Sequence, residues 1–276
     1  MDVGDAVPAA VAVAGRYGVR CTDPVVLHVG SNVLVHLRPA PVVARVANLV
    51  AELRPGVATW FARDLALSSY LADRGVPVVR PSADPPAGPH EHGGLVLSFW
   101  THVPHDPHRR PTPAEVGRAL GGLHAALRGY TGPLPEEGPI GDLRQVLDLL
   151  ERDGVLAGAR LAKLRAEGAR LAGEVLALPK QALHGDAHPG NLLATPDGLL
   201  WNDFEDTWRG PPAWDLACLA NTKLMDGRAA LAHYPDPPPD REIEVCLELR
   251  RLFGVGWRLL TTSAARRTGA GRGRGR

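Results

Sequence analysis

The segment His184–Asn191 (HGDAHPGN) brings together residue types that can do chemistry. Two short apolar runs follow it, on either side of a Pro-Asp-Gly turn, and this pattern predicts a β-hairpin. Such a hairpin would place Asn191 just before its first strand and Asp203 at the end of its second strand, so that the two side chains can converge. Asp186 would lie in the loop that leads into the hairpin.

A carboxylate and an amide oxygen that converge in this way suit a hard cation that prefers oxygen ligands, such as magnesium. A second carboxylate that stays free of the metal can orient a hydroxyl nucleophile and accept its proton. Phosphoryl transfer requires these parts, because that reaction depends mainly on positioning and on charge neutralisation. We therefore expect a magnesium-assisted phosphoryl-transfer site around this hairpin.

The elements that must position these residues follow from the spacing of apolar residues. Short β-branched runs at 25–27, 33–37 and 42–46 alternate with turn residues and predict three antiparallel strands. Residues 59–74 predict a helix packed on this sheet, and residues 95–100 predict one more buried strand.

The second part of the chain has a helical pattern, and we place the boundary between the two predicted lobes near residues 99–101. Apolar residues recur at helical spacing over four segments, which are 113–128, 141–152, 158–178 and 240–264. Between residues 180 and 220 the pattern predicts short strands and tight loops. A chain of 276 residues is long enough for two lobes with separate cores.

The composition is that of an ordinary globular protein, with 45% hydrophobic and 22% charged residues. The net charge of +1 includes five arginines within residues 266–276, so residues 1–265 carry 1 − 5 = −4. We expect this Gly/Arg tail to be disordered, because it has little apolar surface to bury. Contact of the tail with RNA or an anionic surface is the alternative.

The three cysteines, Cys21, Cys218 and Cys246, are scattered and form no C-x-x-C pair. This spacing argues against a disulfide framework and against a thiolate metal site, and it fits a reducing cytoplasm. The N-terminus carries acids where a signal peptide needs bases, and no apolar run reaches membrane-spanning length. We therefore expect a cytoplasmic protein that is neither exported nor embedded in a membrane.

Three motifs together resemble the aminoglycoside phosphotransferase and choline kinase family, whose members are relatives of protein kinases. The motifs are HGDAHPGN at 184–191, DFED at 203–206 and GPPAWDLA at 210–217. The resemblance implies an α+β, protein-kinase-like two-lobed fold, with a small antiparallel β-sheet and one helix in the N-terminal lobe and a mainly helical C-terminal lobe. It also implies magnesium-dependent transfer of the γ-phosphate of ATP or GTP to a hydroxyl group of a small molecule.

The resemblance also implies roles for individual residues of the motifs. Asp186 is expected to be the catalytic base, and Asn191 and Asp203 are expected to be magnesium ligands. Asp215 is expected to be a buried acid that braces the catalytic loop.

The nucleotide is expected to bind in the N-terminal lobe. Gly30, Ser31 and Asn32 lie at a turn between two predicted strands, where backbone and hydroxyl donors could cover the phosphates. The family's third strand usually presents a lysine to the phosphates, paired with a glutamate on the following helix, and here the matching positions are Arg45 and Asp64. A longer base paired with a shorter acid could preserve the reach of the ion pair, although a planar guanidinium is not equivalent to an ammonium group. An ordinary surface ion pair, or no pair, is the alternative.

The run Leu97–Trp100 is expected to form a hinge strand that offers backbone groups and an aromatic wall, with Phe99, to the nucleotide base. An aromatic residue of the core is the alternative reading of Phe99. His102, His105 and His108 recur at every third position in a proline-rich loop, and we favour a solvated loop over a metal or substrate role.

Four other polar residues have open roles. Glu205 and Asp206 could reach a metal-bound water, meet a cationic substrate or face solvent. His184 and His188 have the i, i+4 spacing of zinc ligands, but the glycine and proline beside them argue against a helix. We therefore expect the two histidines to organise the loop through hydrogen bonds.

These expectations divide the chain into a nucleotide-binding lobe at 1–100, a catalytic and substrate-binding lobe at 101–265 and a tail at 266–276. Twelve positions separate Asp203 from Asp215, which leaves little room for the segment with which protein kinases dock a peptide, so a small-molecule acceptor is expected. Acidic and aromatic residues that could line an acceptor pocket, without an assigned role, are Trp208, Trp214, Asp226, Asp236, Asp240 and Glu244.

Two other functions stay open at this point. A nucleotide-binding pseudokinase or regulatory module is motivated by Arg45, which stands where the family has a lysine. A nucleic-acid-binding protein would use the arginine tail, but nothing in residues 1–265 supports it, and we expect no nucleic-acid partner.

Overall fold

The structure is a computed structural model that describes residues 3–48 and 56–272. The chain divides into two compact units. Unit 1 comprises Met1–Pro111, Gly129–Pro133 and Gly190–Asp206. Unit 2 comprises Thr112–Arg128, Leu134–Pro189 and Thr207–Arg276. The units are discontinuous in sequence, unlike the division at residue 100 predicted above, and the hairpin after His184–Asn191 groups with unit 1.

Unit 1 contains an antiparallel sheet that, within the described residues, has five strands in the order β1-β2-β3-β5-β4. The strands are β1 Cys21–Val29, β2 Asn32–Pro39, β3 Val42–Ala47, β4 His90–His92 and β5 Leu95–Thr101. The four strands predicted from the sequence are confirmed, and β4 is an additional strand that was not predicted. Residues on β2 alternate in burial, as expected for a strand with one face on a core.

Two helices of unit 1 contribute to the hydrophobic cores of this unit. Helix α1 (Val3–Arg16) places small residues, among them Ala6 and Ala10, in one core with Val33, Leu97 and other buried residues of the sheet. Helix α2 (Val57–Ala72) contributes Phe61 to a second core. The sequence prediction included α2 and missed α1, because residues 6–14 are apolar at every position except Pro8 and so show no helical periodicity.

Unit 2 is mainly helical. Its described helices are α3 Pro113–Leu127, α4 Pro139–Arg152, α5 Gly158–Leu176, α6 Pro212–Ala220, α7 Gly227–Leu231 and α8 Asp240–Arg272. Helix α3 begins at a capping box, in which Thr112 and Glu115 satisfy each other's backbone N–H groups. Two-residue strands, Gln181–Ala182 and Arg209–Gly210, pair with each other and enclose the segment that carries the first two motifs.

Helix α6 and the end of α8 differ from the sequence prediction. Residues 212–220 were expected to be loop or strand, but α6 is buried on nearly every side and therefore lacks the one-sided periodicity that reveals a surface helix. Helix α8 continues to Arg272, so residues 266–272 of the predicted disordered tail have helical backbone. Extending an existing helix avoids the cost of nucleation, which the isolated segment, with Gly269 and Gly271, would have to meet. Residues 273–276 of the tail lie outside the described residues.

Among residues 3–48 and 56–272, no helix combines the length and the apolar character needed to cross a lipid bilayer.

Candidate active site

The hairpin in unit 1 places Asn191 and Asp203 at its open end. Its strands are Leu192–Thr195 and Gly198–Trp201. The N–H of Asn202 donates to the carbonyl oxygen of Asn191 at 3.0 Å, which extends the pairing one step beyond the strands. Asp203 follows directly, with a positive φ of 67° that is uncommon for a residue other than glycine. The predicted hairpin is confirmed.

Arg45 on β3 is joined to three carboxylates of unit 1, and we call these four side chains the Arg45 cluster. Its Nη1 lies 2.5 Å from Oδ2 of Asp64 on α2. Its Nη2 lies 2.5 Å from Oδ1 of Asp203 and 2.5 Å from Oε2 of Glu205. The side chain of Arg45 is 6% exposed and that of Asp64 is 1% exposed, which excludes the surface ion pair considered above.

The cluster holds more negative than positive charge. Burial alone would lower the pKa of Arg45, but attraction to Asp203, Glu205 and Asp64 outweighs burial and raises the pKa of its guanidinium. Burial raises the pKa of Asp64 to about 6, and the charge of Arg45 opposes this rise. Asp64 also accepts hydrogen bonds from the N–H of Phe204 at 3.2 Å and from the hydroxyl of Ser68 at 3.3 Å. A site with this surplus of carboxylates attracts a cation.

The turn between β1 and β2 is connected to the Arg45 cluster through Asn32. Nδ2 of Asn32 donates to Oε2 of Glu205 at 3.0 Å. Asn48 fixes the turn, because its side chain donates to the carbonyl oxygen of Gly30 at 3.1 Å and its N–H donates to that of Ser31 at 3.2 Å. Glu205, which had no assigned role in the sequence prediction, therefore links the turn to Arg45.

A cavity of about 350 Å³ lies in unit 1 beside this cluster. The residues of its wall that matter here are Ser31, Asn32, Arg45, Trp100, Asn202 and Asp203. Gly30 and Asp64 are not among its lining residues, although both contact residues that are.

Phe99 is not among the residues that line this cavity, and its expected contact with a nucleotide stays a prediction. Successive residues of a strand point to opposite faces of the sheet, so Trp100 faces the cavity and Phe99 belongs to the core with α1. The N–H of Phe99 donates to Ala87 at 2.8 Å, and its carbonyl oxygen accepts from the N–H of Ser82 at 3.0 Å. Its backbone groups are therefore used within the protein.

The histidines of the proline-rich loop take different positions. His102 and His105 line the cavity, and the ring of His102 stacks on that of His36 at 3.7 Å. Burial, followed by the neighbouring His36 and His105, lowers the pKa of His102. His108 is exposed, as expected for a solvated loop. Within the described part of the chain, no group of three or more His, Cys, Asp or Glu side chains is arranged to hold a metal.

In unit 2, Asp186 is held on both of its carboxylate oxygens. Oδ1 accepts a hydrogen bond from Nη2 of Arg250, a residue of α8. Oδ2 lies 3.3 Å from Nε2 of His188. Burial alone would raise the pKa of Asp186, but the hydrogen bond from His188 and the charge of Arg250 outweigh burial and hold that pKa below its usual range.

Asp215 braces the loop that carries Asp186. It is fully buried at the start of α6, where Oδ2 accepts from the N–H of His184 at 2.8 Å and Oδ1 accepts from the N–H of Gly185 at 2.9 Å. Gly185 has a φ of 92°, which favours glycine. The ring nitrogen Nδ1 of His184 lies 3.3 Å from the N–H of Asp186, so this histidine organises the loop as expected.

The sequence prediction missed the residues behind Asp215. Nε2 of His124 on α3 lies 2.9 Å from Oδ2 of Asp215, and Nδ1 of the same ring lies 2.9 Å from the hydroxyl of Tyr234. The signal in the sequence is a polar residue on the buried face of α3, between Leu123 and Leu127. A buried histidine requires partners for its ring nitrogens, but the sequence does not identify them.

Four of the six residues offered above for an acceptor pocket have structural contacts. Trp208 and Trp214 are fully buried with their rings in edge-to-face contact at 5.9 Å. Trp214 also donates from Nε1 to the carbonyl oxygen of Gly185 at 2.7 Å. Asp226 caps α7, and Glu244 pairs with a neighbouring arginine at the surface.

Comparison with known proteins assigns the family. The model of the phosphotransferase enzyme family matches residues 30–242, which is more than half of the chain, so the chain belongs to that family. Homoserine kinases of two Pseudomonas aeruginosa strains are 35% and 36% identical over 143 residues. These matches cover 50% and 47% of this chain but only 43% and 45% of the homoserine kinases.

Solved structures define the fold. An amicoumacin kinase in complex with AMP-PNP, Ca²⁺ and Ami superimposes with a TM-score of 0.70 at 14% identity, over 94% of this chain and 88% of that one. The choline kinase LicA from Streptococcus pneumoniae gives a TM-score of 0.64 at 16% identity, over 92% of this chain and 91% of that one. An aminoglycoside-3′-phosphotransferase of type VIII gives a TM-score of 0.63 at 20% identity, over 89% of this chain and 98% of that one. The predicted protein-kinase-like fold is confirmed.

Proposed function

We propose that this protein transfers the γ-phosphoryl group of ATP, or of GTP, to a hydroxyl group of a small molecule. The observation that carries the proposal is the Arg45 cluster, in which one buried guanidinium joins Asp64 on α2 to Asp203 beside a cavity. The family resemblance implies that this pair positions the nucleotide phosphates. A planar guanidinium can bond both carboxylates at once, which a lysine ammonium does with less directional constraint.

The residues present fit a magnesium ion. Asn191 and Asp203 offer an amide oxygen and a carboxylate from the same end of the hairpin, and the surplus carboxylates of the Arg45 cluster favour a divalent cation. Magnesium commonly keeps few protein ligands and takes others from phosphates and water, so two protein ligands suffice. What magnesium supplies when bound is neutralisation of the charge on the phosphates.

We assign Asp186 the role of catalytic base, which orients the acceptor hydroxyl and accepts its proton. The acceptor oxygen forms a bond to the γ-phosphorus while the bond from that phosphorus to the bridging oxygen breaks, and the electron pair leaves with the nucleoside diphosphate. The hydroxyl proton passes to Asp186 and then to solvent. The low pKa of Asp186 suits a carboxylate that orients the hydroxyl first and accepts the proton late.

ATP is the donor that the neighbours favour, since solved relatives hold AMP-PNP or ADP. For the acceptor, the relatives are named for homoserine, choline and aminoglycosides. These compounds share a hydroxyl group and a nitrogen that carries positive charge at neutral pH. We therefore propose a small hydroxylated compound with an amino or ammonium group as the acceptor class.

A nucleotide-binding pseudokinase is the second candidate, and one contact favours it. Nη2 of Arg45 bonds Oδ1 of Asp203, the carboxylate assigned to magnesium, so the guanidinium and the metal compete for it. A protein in which Arg45 retains that carboxylate would bind nucleotide with little turnover.

One experiment separates the two candidates. Purified protein is incubated with MgATP or MgGTP and a panel that contains homoserine, choline and aminoglycosides, and release of ADP or GDP is measured. We expect an acceptor to stimulate release above the rate with water, and we expect Asp186→Asn to abolish the stimulation. Nucleotide binding without stimulated release by any acceptor would contradict the kinase and support the pseudokinase.

A further inference from the structure

Arg250 contacts Asp186 from a part of the chain that the family pattern does not include. The family match ends at residue 242, whereas Arg250 lies one third of the way along α8. Its Nη2 donates to Oδ1 of Asp186, and the two side chains are 21% and 23% exposed, so both remain reachable from solvent.

We propose that Arg250 is a positioning residue for phosphoryl transfer, because it fixes Oδ1 of Asp186 and thereby sets the direction in which Oδ2, which also lies 3.3 Å from Nε2 of His188, meets the acceptor hydroxyl. This inference rests on the proposed function. A carboxylate on a loop can rotate about its χ torsions, and a bond to one oxygen restricts that rotation. Correct orientation of a catalytic group contributes substantially to rate, and small misplacements are costly.

The guanidinium of Arg250 is itself held in place. Its central carbon lies 5.9 Å from the centre of the Trp214 ring, and Trp214 is fixed by the hydrogen bond from its Nε1 to Gly185. Helix α8 packs against α6, and its residues Cys246 and Leu249, near Arg250, are buried. Arg250 therefore approaches Asp186 from a rigid helix with a fixed orientation, as effective positioning requires.

Groups from each neighbouring element act on Asp186. Arg250 faces it from α8, and His188 and His184 face it from its own loop. Cys218 on α6 interacts with the charges of Arg250 and Asp186, and Asp215 interacts with the same thiol. Loss of Arg250 removes a positive charge while burial remains, so the carboxyl of Asp186 should hold its proton up to higher pH.

The first test uses Arg250→Gln, Arg250→Lys and the control Arg251→Gln, an exposed arginine next in sequence on the same helix. Release of ADP from MgATP is followed from acid to neutral pH, with the acceptor identified by the panel or, if none is found, with water. We expect Arg250→Gln to lower kcat by about 10- to 100-fold with little change in KM for MgATP. We also expect the acid limb of the pH profile, where kcat falls because Asp186 takes up a proton, to move to higher pH in this variant.

Arg250→Lys keeps the charge and loses the planar geometry, so it should restore the acid limb and only part of kcat. Arg251→Gln should resemble the wild type in kcat and in pH profile. A merely structural role of Arg250 would lower the amount of folded protein without moving the acid limb. An Arg250→Gln profile that superimposes on that of Arg251→Gln would overturn the inference.

The second test does not depend on turnover. Unfolding in urea is measured for wild type, Arg250→Gln, Asp186→Asn and the double variant at neutral pH. We expect the double variant to be destabilised by less than the sum of the single variants, because each single variant already removes the contact. Additive effects would overturn the inference. Inactive wild-type protein would contradict the proposed function, whereas active wild type with unaltered Arg250 variants would contradict the inference alone.

Discussion

Nη1 of Arg45 and Oδ2 of Asp64 lie 2.5 Å apart in the interior of unit 1. The pair replaces the lysine and glutamate that the family resemblance leads one to expect at these positions. The exchange preserves a contact between strand and helix, because β3 and α2 remain joined by a charged pair. It also gives the strand residue a second amino group, Nη2, which reaches Asp203 and Glu205.

Arg45→Met should strongly destabilise the fold. It leaves Asp64 and Glu205 buried without their cation, and breaking a buried pair in this way typically costs about 3–5 kcal/mol in the free energy of unfolding. Arg38→Met is the matched control, because Arg38 pairs with Asp23 at 3.4 Å on the surface. A surface pair contributes about 0–1 kcal/mol. Urea unfolding of the two variants measures the difference, and equal losses would contradict the importance of the Arg45 cluster.

Asp186→Asn should abolish most turnover and spare nucleotide binding. The amide keeps the shape of the side chain but accepts no proton, and loss of a general base typically costs about 10²- to 10⁴-fold in rate. Initial rates of ADP release and calorimetric titration with MgADP measure the two properties. Asp197→Asn, a change of the same type at the exposed hairpin turn, is the control and should leave both unchanged. Full activity of Asp186→Asn would remove this residue from the mechanism.

Asp215→Asn should destabilise unit 2. Its amide nitrogen would face an N–H donor of His184 or Gly185, and a buried donor without an acceptor costs about 1–3 kcal/mol. Asp226→Asn serves as the control, because asparagine caps a helix about as well as aspartate. Chemical denaturation should show a clear loss for the first variant and almost none for the second. Comparable stability of both variants would argue against the bracing role of Asp215.

The cysteines should differ in reactivity. Burial raises the pKa of Cys246 to about 12, and burial also raises the pKa of Cys218. Cys21 is partly exposed. Because the thiolate is the reactive form, iodoacetamide at about pH 8 should modify Cys21 first and reach the other two only after unfolding. Peptide mass spectrometry measures the order, and equal rates in the folded protein would contradict it.

The raised pKa of Cys246 predicts how the free energy of unfolding depends on pH. The folded state disfavours the Cys246 thiolate, so the unfolded state loses this proton first, from the ordinary pKa of 9.0 upward. The contribution of Cys246 to the free energy of unfolding is therefore complete below pH 9.0 and declines as pH rises toward about 12. Urea unfolding of Cys246→Ala and wild type is measured across this pH range. The difference between their free energies of unfolding should shrink toward the alkaline end. A difference that stays constant with pH would contradict the raised pKa.

The sequence was sufficient for features that depend on local patterns. Alternating apolar residues identified β2, β3 and β5, and the Pro-Asp-Gly turn identified the hairpin that brings Asn191 and Asp203 to one end. The pair of Arg45 and Asp64 was also predicted, because its partners follow the order of strand and helix in the family.

Contacts between distant segments were not predictable in this way. Arg250 and Asp186 are 64 positions apart, and His124 and Asp215 are 91 apart, so no local spacing relates them. The side of the sheet to which Phe99 points was not predictable for a different reason. Alternation shows that Phe99 and Trp100 point to opposite sides of the sheet, but only the position of α1 shows which side is the core.

The packing of helix α8 has a practical consequence for recombinant work. A chain shortened to the family boundary at residue 242 would lose nearly all of α8, and with it Cys246, Leu247, Leu249 and Leu260 of the buried core. Helices α4, α5 and α6 would each lose the surface against which they pack. A minimal expressible version of this protein must therefore extend well beyond the region that the family model matches, at least through Leu260.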